Sequence, residues 1–79
     1  MSIDPGIEGA VREALSVHVE PPEDAQEALS LKSLELVVLA EDLEARFGFL
    51  VAAKEVVPAN FGSIAAICAY VARKQGDAR

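Results

Sequence analysis

From Leu31 to Phe47 the chain runs without a glycine or proline, and Gly48 closes the run. At about 100° per residue, Leu36, Leu39, Ala40, Leu43 and Phe47 gather on one side. That spacing predicts a helix packed on a core through this stripe, ending near Gly48, a suitable left-handed terminator. Three apolar residues are left over. Leu34, Val37 and Val38 project to the opposite half, near Ser33, among Glu35, Glu41, Asp42 and Glu44. Either a neighbouring loop covers them or they form an exposed apolar spot ringed by acids.

The chain has 79 residues and is read as one small domain, 1–79. Hydrophobic residues make up 52% but aromatics only 5%, with no Trp, so Leu, Val, Ile and Ala must fill the core. A net charge of −6 with no basic stripe repels phosphate backbones, which argues against nucleic acid and against an anionic membrane surface. The same charge favours solubility and steering toward basic partner proteins. One cysteine, Cys68, rules out an internal disulfide and a multi-cysteine metal site. No basic region followed by an apolar run opens the chain, and no stretch has the length of a membrane span. The expectation is a cytoplasmic monomer.

Asp4 before Pro5 predicts a helix start. Ile7, Ala10, Val11, Ala14 and Leu15 carry helical spacing to about Val17, with His18 at the helix end, where a positive imidazole would be favoured. Gly6 and Gly9 weaken this helix by roughly 1 kcal/mol each relative to Ala, so it depends on packing. Pro21 and Pro22, flanked by Glu20, Glu23 and Asp24, stop helical structure and predict a long acidic loop from Val19 to Lys32. Ala25, Ala28, Leu29 and Leu31 are its candidate anchors. Beyond Gly48, Phe49, Leu50 and Val51 read as a buried linker. Pro58 predicts a short helical turn through Asn60 and Phe61, poorly capped by Val57 and broken at Gly62. Ser63 then caps a last helix with a stripe of Ile64, Ile67, Cys68 and Val71, complemented at its end by Arg73 and Lys74, and fraying from Gly76 to Arg79. The expected fold is all-α: a bundle of three main helices plus one short helix, with a long loop after the first.

The inventory for intrinsic catalysis is thin: one His, one Cys, one Tyr and no glycine-rich phosphate loop. Cys68 on an apolar stripe reads as a core residue, and Tyr70 as a half-buried packing residue with its hydroxyl in solvent. No calcium-loop spacing joins the acids. Ser33 remains. Its plain role is an N-cap, shared with or replaced by Ser30, with no capping box because Leu36 would stand at the third helical position. Its sharper role is a covalent attachment point, since a phosphodiester there would meet free amides and the positive pole of the helix.

Ser33-Leu34-Glu35-Leu36-Val37, followed by Leu43-Glu44-Ala45-Arg46-Phe47-Gly48, resembles the acyl carrier protein pattern, in which Asp-Ser-Leu opens the second helix and Leu-Glu-x-x-Phe closes it. Downstream, Pro58-Ala59-Asn60-Phe61-Gly62-Ser63-Ile64 and then Tyr70-Val71 resemble the Pro-Glu-Asn-Phe-x-Thr-Val and terminal Tyr-Val/Ile of carriers in polyketide and nonribosomal peptide pathways. The resemblance covers nearly the whole chain. It implies that Ser33 carries 4′-phosphopantetheine, transferred from coenzyme A by a separate phosphopantetheinyl transferase, and that acyl or aminoacyl groups ride on the arm as thioesters. It implies no catalysis by the chain itself, which would instead serve acyl-loading, ketosynthase or tailoring enzymes. Leu34, Val37 and Val38 would give those partners apolar contact, and Glu35, Glu41, Asp42 and Glu44 would guide basic surfaces toward them.

Some positions depart from the pattern. Lys32 replaces the aspartate before the serine, Val38 is apolar where an acid is common, Glu41 is acidic where an apolar residue is usual, and Ala52-Ala53 stands for Pro-Asp. Lys32 motivates an alternative expectation, a carrier-like binding module that docks on a partner without being modified.

Overall fold

A computed structural model describes residues 4–77; residues 1–3 and 78–79 lie outside the described residues. Every regular element among them is helical: α1 (Pro5–Leu15), α2 (Ser33–Phe47), a 3₁₀ turn (Ala53–Glu55), α3 (Pro58–Phe61) and α4 (Ile64–Asp77). This is the expected bundle of three long helices and one short one, with the 3₁₀ turn added.

Asp4 starts α1 as expected, its Oδ1 accepting from the amides of Gly6 at 2.8 Å and Ile7 at 3.2 Å. The helix ends at Leu15, two residues before the expected Val17. The Ser16 hydroxyl donates to the Glu13 carbonyl at 2.6 Å, and the amides of His18 and Val19 both fall on the Leu15 carbonyl. A local side-chain bond and a shared acceptor thus tighten the chain out of the helix.

The loop that follows has no regular structure, yet it is tied at both sides. The Arg12 guanidinium, paired with Glu8 at 2.8 Å, also donates to the carbonyls of Pro22 and Glu23. Further on, the Leu29 amide donates to Gly62 O and the Ala65 amide to Ala25 O, each at 2.8 Å. Val19, Ala25, Leu29 and Leu31 pack on the core, whereas Ala28, an expected anchor, is exposed. The loop therefore bridges α1 to the α3–α4 corner and delivers the chain to the start of α2.

Gly62 is fixed by crowding at that corner. A Cβ there would lie 2.5 Å from the Pro58 carbonyl oxygen, closer than any side chain tolerates. Ser63 caps α4 as expected, its hydroxyl accepting from Ala66 N at 3.1 Å.

The core comprises Val11, Ala14 and Leu15 of α1, Leu39, Ala40 and Leu43 of α2, Phe49, Phe61, and Ile64, Ile67, Cys68, Tyr70 and Val71 of α4. Leu36 and Phe47 pack at its edge, completing the expected α2 stripe. Tyr70 departs from expectation. It is fully buried, and its hydroxyl donates to Glu55 Oε1 at 3.0 Å rather than reaching solvent. The linker also departs. Phe49 is buried against Phe47 and Tyr70, and Val51 is half-buried, but Leu50 between them is 80% exposed. Finally, α4 runs through Gly76 to Asp77 where fraying was expected, and the remaining two residues of that stretch lie outside the described region.

Candidate functional site

Ser33 is the first residue of α2, and its side chain is exposed. The N-cap position belongs to Lys32, whose backbone is extended, with φ −78° and ψ 160°. Lysine offers no acceptor, so no side-chain cap closes this end. The expected capping role of Ser33, or of Ser30 in its place, is therefore corrected: the helix begins one residue earlier than a Ser33 cap requires. The same shift puts Glu35 at the third helical position, where its Oε1 accepts from the Lys32 amide at 2.8 Å. Half a capping box thus exists where none was expected, supplied by the acid alone. The first intrahelical bond runs from Leu36 N to Lys32 O at 2.9 Å. The amides of Ser33, Leu34 and Glu35 have no acceptor among the described residues, the ordinary state of an uncapped helix start.

On the outward side of α2, Leu34 is 75%, Val37 52% and Val38 39% exposed, so no loop covers them. The four acids grouped with them divide by use. Glu41 is exposed. Glu35 turns back on Lys32, Asp42 pairs with Arg46 at 3.0 Å, and Glu44 Oε2 accepts from Val51 N at 2.7 Å. Their charges remain on the surface of α2, but three of the four side chains are oriented by the protein itself.

The structure adds three residues to this surface. Val17, His18 and Arg46 join Val38, Glu41 and Asp42 around an open groove of about 500 Å³ between the segment after α1 and the outward side of α2. Val17 is 74% exposed there. Its spacing from Ala10 and Ala14 places it on the buried side of a continued α1, so only the early end of that helix brings it out. Arg46 is held by Asp42 and by Glu13 of α1 at 3.1 Å, and these bonds push its pKa up. Nothing in the local sequence signals the Glu13 contact, which joins residues far apart in the chain.

The other reactive side chains are spoken for. Cys68 is buried, and desolvation pushes its thiol up to about 11, so it stays protonated at neutral pH. Burial, reinforced by the bond to Glu55, pushes the Tyr70 phenol up to about 12. Among the described residues no helix is long and apolar enough to cross a membrane. Comparison with protein-family models, curated proteins and solved structures finds no match to this chain.

Proposed function

We propose that the chain is an acyl or aminoacyl carrier protein in which Ser33 receives 4′-phosphopantetheine from coenzyme A. One observation carries the reading: Ser33 is exposed at the first turn of α2 and is not used as the helix cap, beside an uncovered apolar spot bearing acids. The residues fit the group. The Ser33 hydroxyl is accessible, and the amides of Ser33, Leu34 and Glu35 and the positive helix pole favour a phosphodiester there. In the transfer the Ser33 oxygen forms the new ester bond to phosphorus. The pyrophosphate linkage of coenzyme A breaks, 3′,5′-adenosine diphosphate leaves, and the serine proton passes to a base of the magnesium-dependent transferase. Bound, the arm supplies a thiol that holds cargo as a thioester.

The partners are the transferase and the acyl-loading, ketosynthase or tailoring enzymes of a specialised-metabolite or fatty-acid-type pathway. Leu34, Val37 and Val38 offer them apolar contact, and Glu35, Glu41, Asp42 and Glu44 give the approach its sign. Incubation with coenzyme A and a broad-specificity transferase is expected to add the mass of one arm to the intact protein and none to Ser33→Ala. Failure to add an arm with several transferases, including one from the same source, overturns the reading.

Lys32 favours a second reading, since a cation stands at the helix pole that disfavours it. In that reading the bundle docks on a partner unmodified. Ser33→Ala then leaves association intact, while a charged residue at Leu34 or Val38 abolishes it.

A further inference from the structure

Two carboxylates hold successive amides of the segment 51–57, in the crossing from α2 to α3. Val51 N–H donates to Glu44 Oε2 at 2.7 Å, and Ala52 N–H donates to Glu55 Oε1 at 3.0 Å. Glu55 Oε1 has further partners in α4: it accepts from the Tyr70 hydroxyl at 3.0 Å and pairs with Lys74 Nζ at 3.1 Å. The Glu55 carbonyl accepts from Asn60 Nδ2 at 2.8 Å, and Asn60 Oδ1 accepts from Arg73 at 2.9 Å. Beneath the segment, the Tyr70 ring meets Phe49 edge-on at 6.0 Å and Phe61 at 5.3 Å.

One carboxylate therefore gathers an amide of its own turn, a buried phenol and a cation. Contacts that share an acceptor reinforce one another, and losing the acceptor's charge weakens them all. The Tyr70 ring is buried, but the Glu55 and Lys74 side chains are each about a quarter exposed, so solvent protons reach the shared oxygen. We propose that Glu55 is the latch of the 51–57 strap, and that removing its charge lets the strap lift from the aromatic cluster while Phe49 stays in the core and α1, α2 and α4 stay folded.

The groups facing the latch are Tyr70 and Lys74 from α4, Arg73 through Asn60, Glu44 from α2 on the neighbouring amide, and the Ala52 amide from the strap itself. The Ala52 amide first, then Lys74 and Tyr70, hold the Glu55 carboxyl below its ordinary 4.5. A depressed carboxylate contributes fully above the ordinary value and loses its contribution as pH falls through the lower folded value. The strap is thus shut at neutral pH and released by acid. None of this depends on whether Ser33 is modified.

Hydrogen exchange on the full chain, corrected for intrinsic rates, tests the latch. Glu55→Gln is expected to speed exchange at Ala52, Glu55, Val56 and Val57 by roughly tenfold or more, with Val11 and Val71 unchanged. Lys74→Met is expected to loosen the same segment less, and to add little on top of Glu55→Gln. Glu44→Gln is expected to free Val51 alone. The chain has one Tyr and no Trp, so emission from Tyr70 reports on the latch directly. It is expected to change in one step below pH 4.5 in the wild type, with helicity kept, and to lack that step in Glu55→Gln. Exchange that rises equally in every helix, an unaltered strap, or additive effects of the two variants overturns the proposal. If Glu55→Gln does not fold, Lys74→Met and the wild-type emission titration decide by the same criteria.

Discussion

The two ends of α2 are closed to different degrees. At its C-terminus Gly48 adopts φ 75° and donates its amide to Glu44 O at 2.9 Å, Arg46 ties the last turn to Asp42 and to Glu13 of α1, and Phe49 anchors the exit in the core. At its N-terminus a lysine occupies the cap position, three amides lack acceptors among the described residues, and Ser33 and Leu34 stand in solvent. The helix is thus secured at the end that joins the bundle and left open at the end that carries the serine. Local choices that do not serve stability mark places where a chain does something else, and here they coincide with the residue on which the carrier reading rests.

The largest contrast is in side-chain removal. Phe49→Ala is expected to lower stability by about 3–5 kcal/mol, because it empties a site packed against Phe47 and Tyr70. Leu34→Ala is expected to stay within about 0.5 kcal/mol of the wild type while weakening partner association. Urea unfolding midpoints read both. Comparable losses at the two positions would mean that Leu34 is covered in solution and that the open end is not open.

Helix placement was legible wherever a local signal sufficed. Asp4-Pro5, Gly48 and Ser63 fix ends through caps made within a few residues, and the Leu39-Leu43 and Ile64-Ile67-Val71 stripes fix the buried sides. What escaped were contacts between distant residues and shifts of a single position. The sequence places the Tyr70 hydroxyl in solvent because its acceptor, Glu55, lies in a 3₁₀ turn whose sequence has no helical period. Serine before an apolar run makes a good cap, so the sequence offers that role to Ser33 beside attachment; α2 starts one residue earlier, with Lys32 at the cap position and Glu35 accepting from its amide, which no periodicity reveals. Within the candidate surface, the helical wheel puts Leu34, Val37 and Val38 on one side but leaves cover by a loop open, and the structure decides for exposure. The groove beside them has no such signal, since it depends on α1 stopping short.

A substitution at Lys32 alters the open end alone. Its backbone already has the geometry of a cap, so Lys32→Asp supplies a side-chain acceptor for the free amides and reverses the charge at the positive pole. The expected gain is about 1 kcal/mol, read as a higher unfolding midpoint with unchanged slope. In the carrier reading the same change also speeds loading of Ser33, because the resemblance places an aspartate there. A stabilised protein that loads no faster would separate the two effects and confine the role of this position to the helix start.

The smallest expected stability effect is the most informative. A serine that caps its helix loses about 1 kcal/mol on replacement by alanine, whereas Ser33 stands one position inside the helix, where its hydroxyl closes no amide. Alanine is also the better helix former there. Ser33→Ala is therefore expected to leave stability within about 0.5 kcal/mol of the wild type while abolishing uptake of the arm. A loss of 1 kcal/mol or more would return the hydroxyl to a capping role in solution and remove the argument from its disuse. An equally stable variant that still gained the arm would move the attachment elsewhere. The paired result, an unchanged fold and no loading, is the one a structural serine cannot give, because at this position fold and loading are tested by the same missing oxygen.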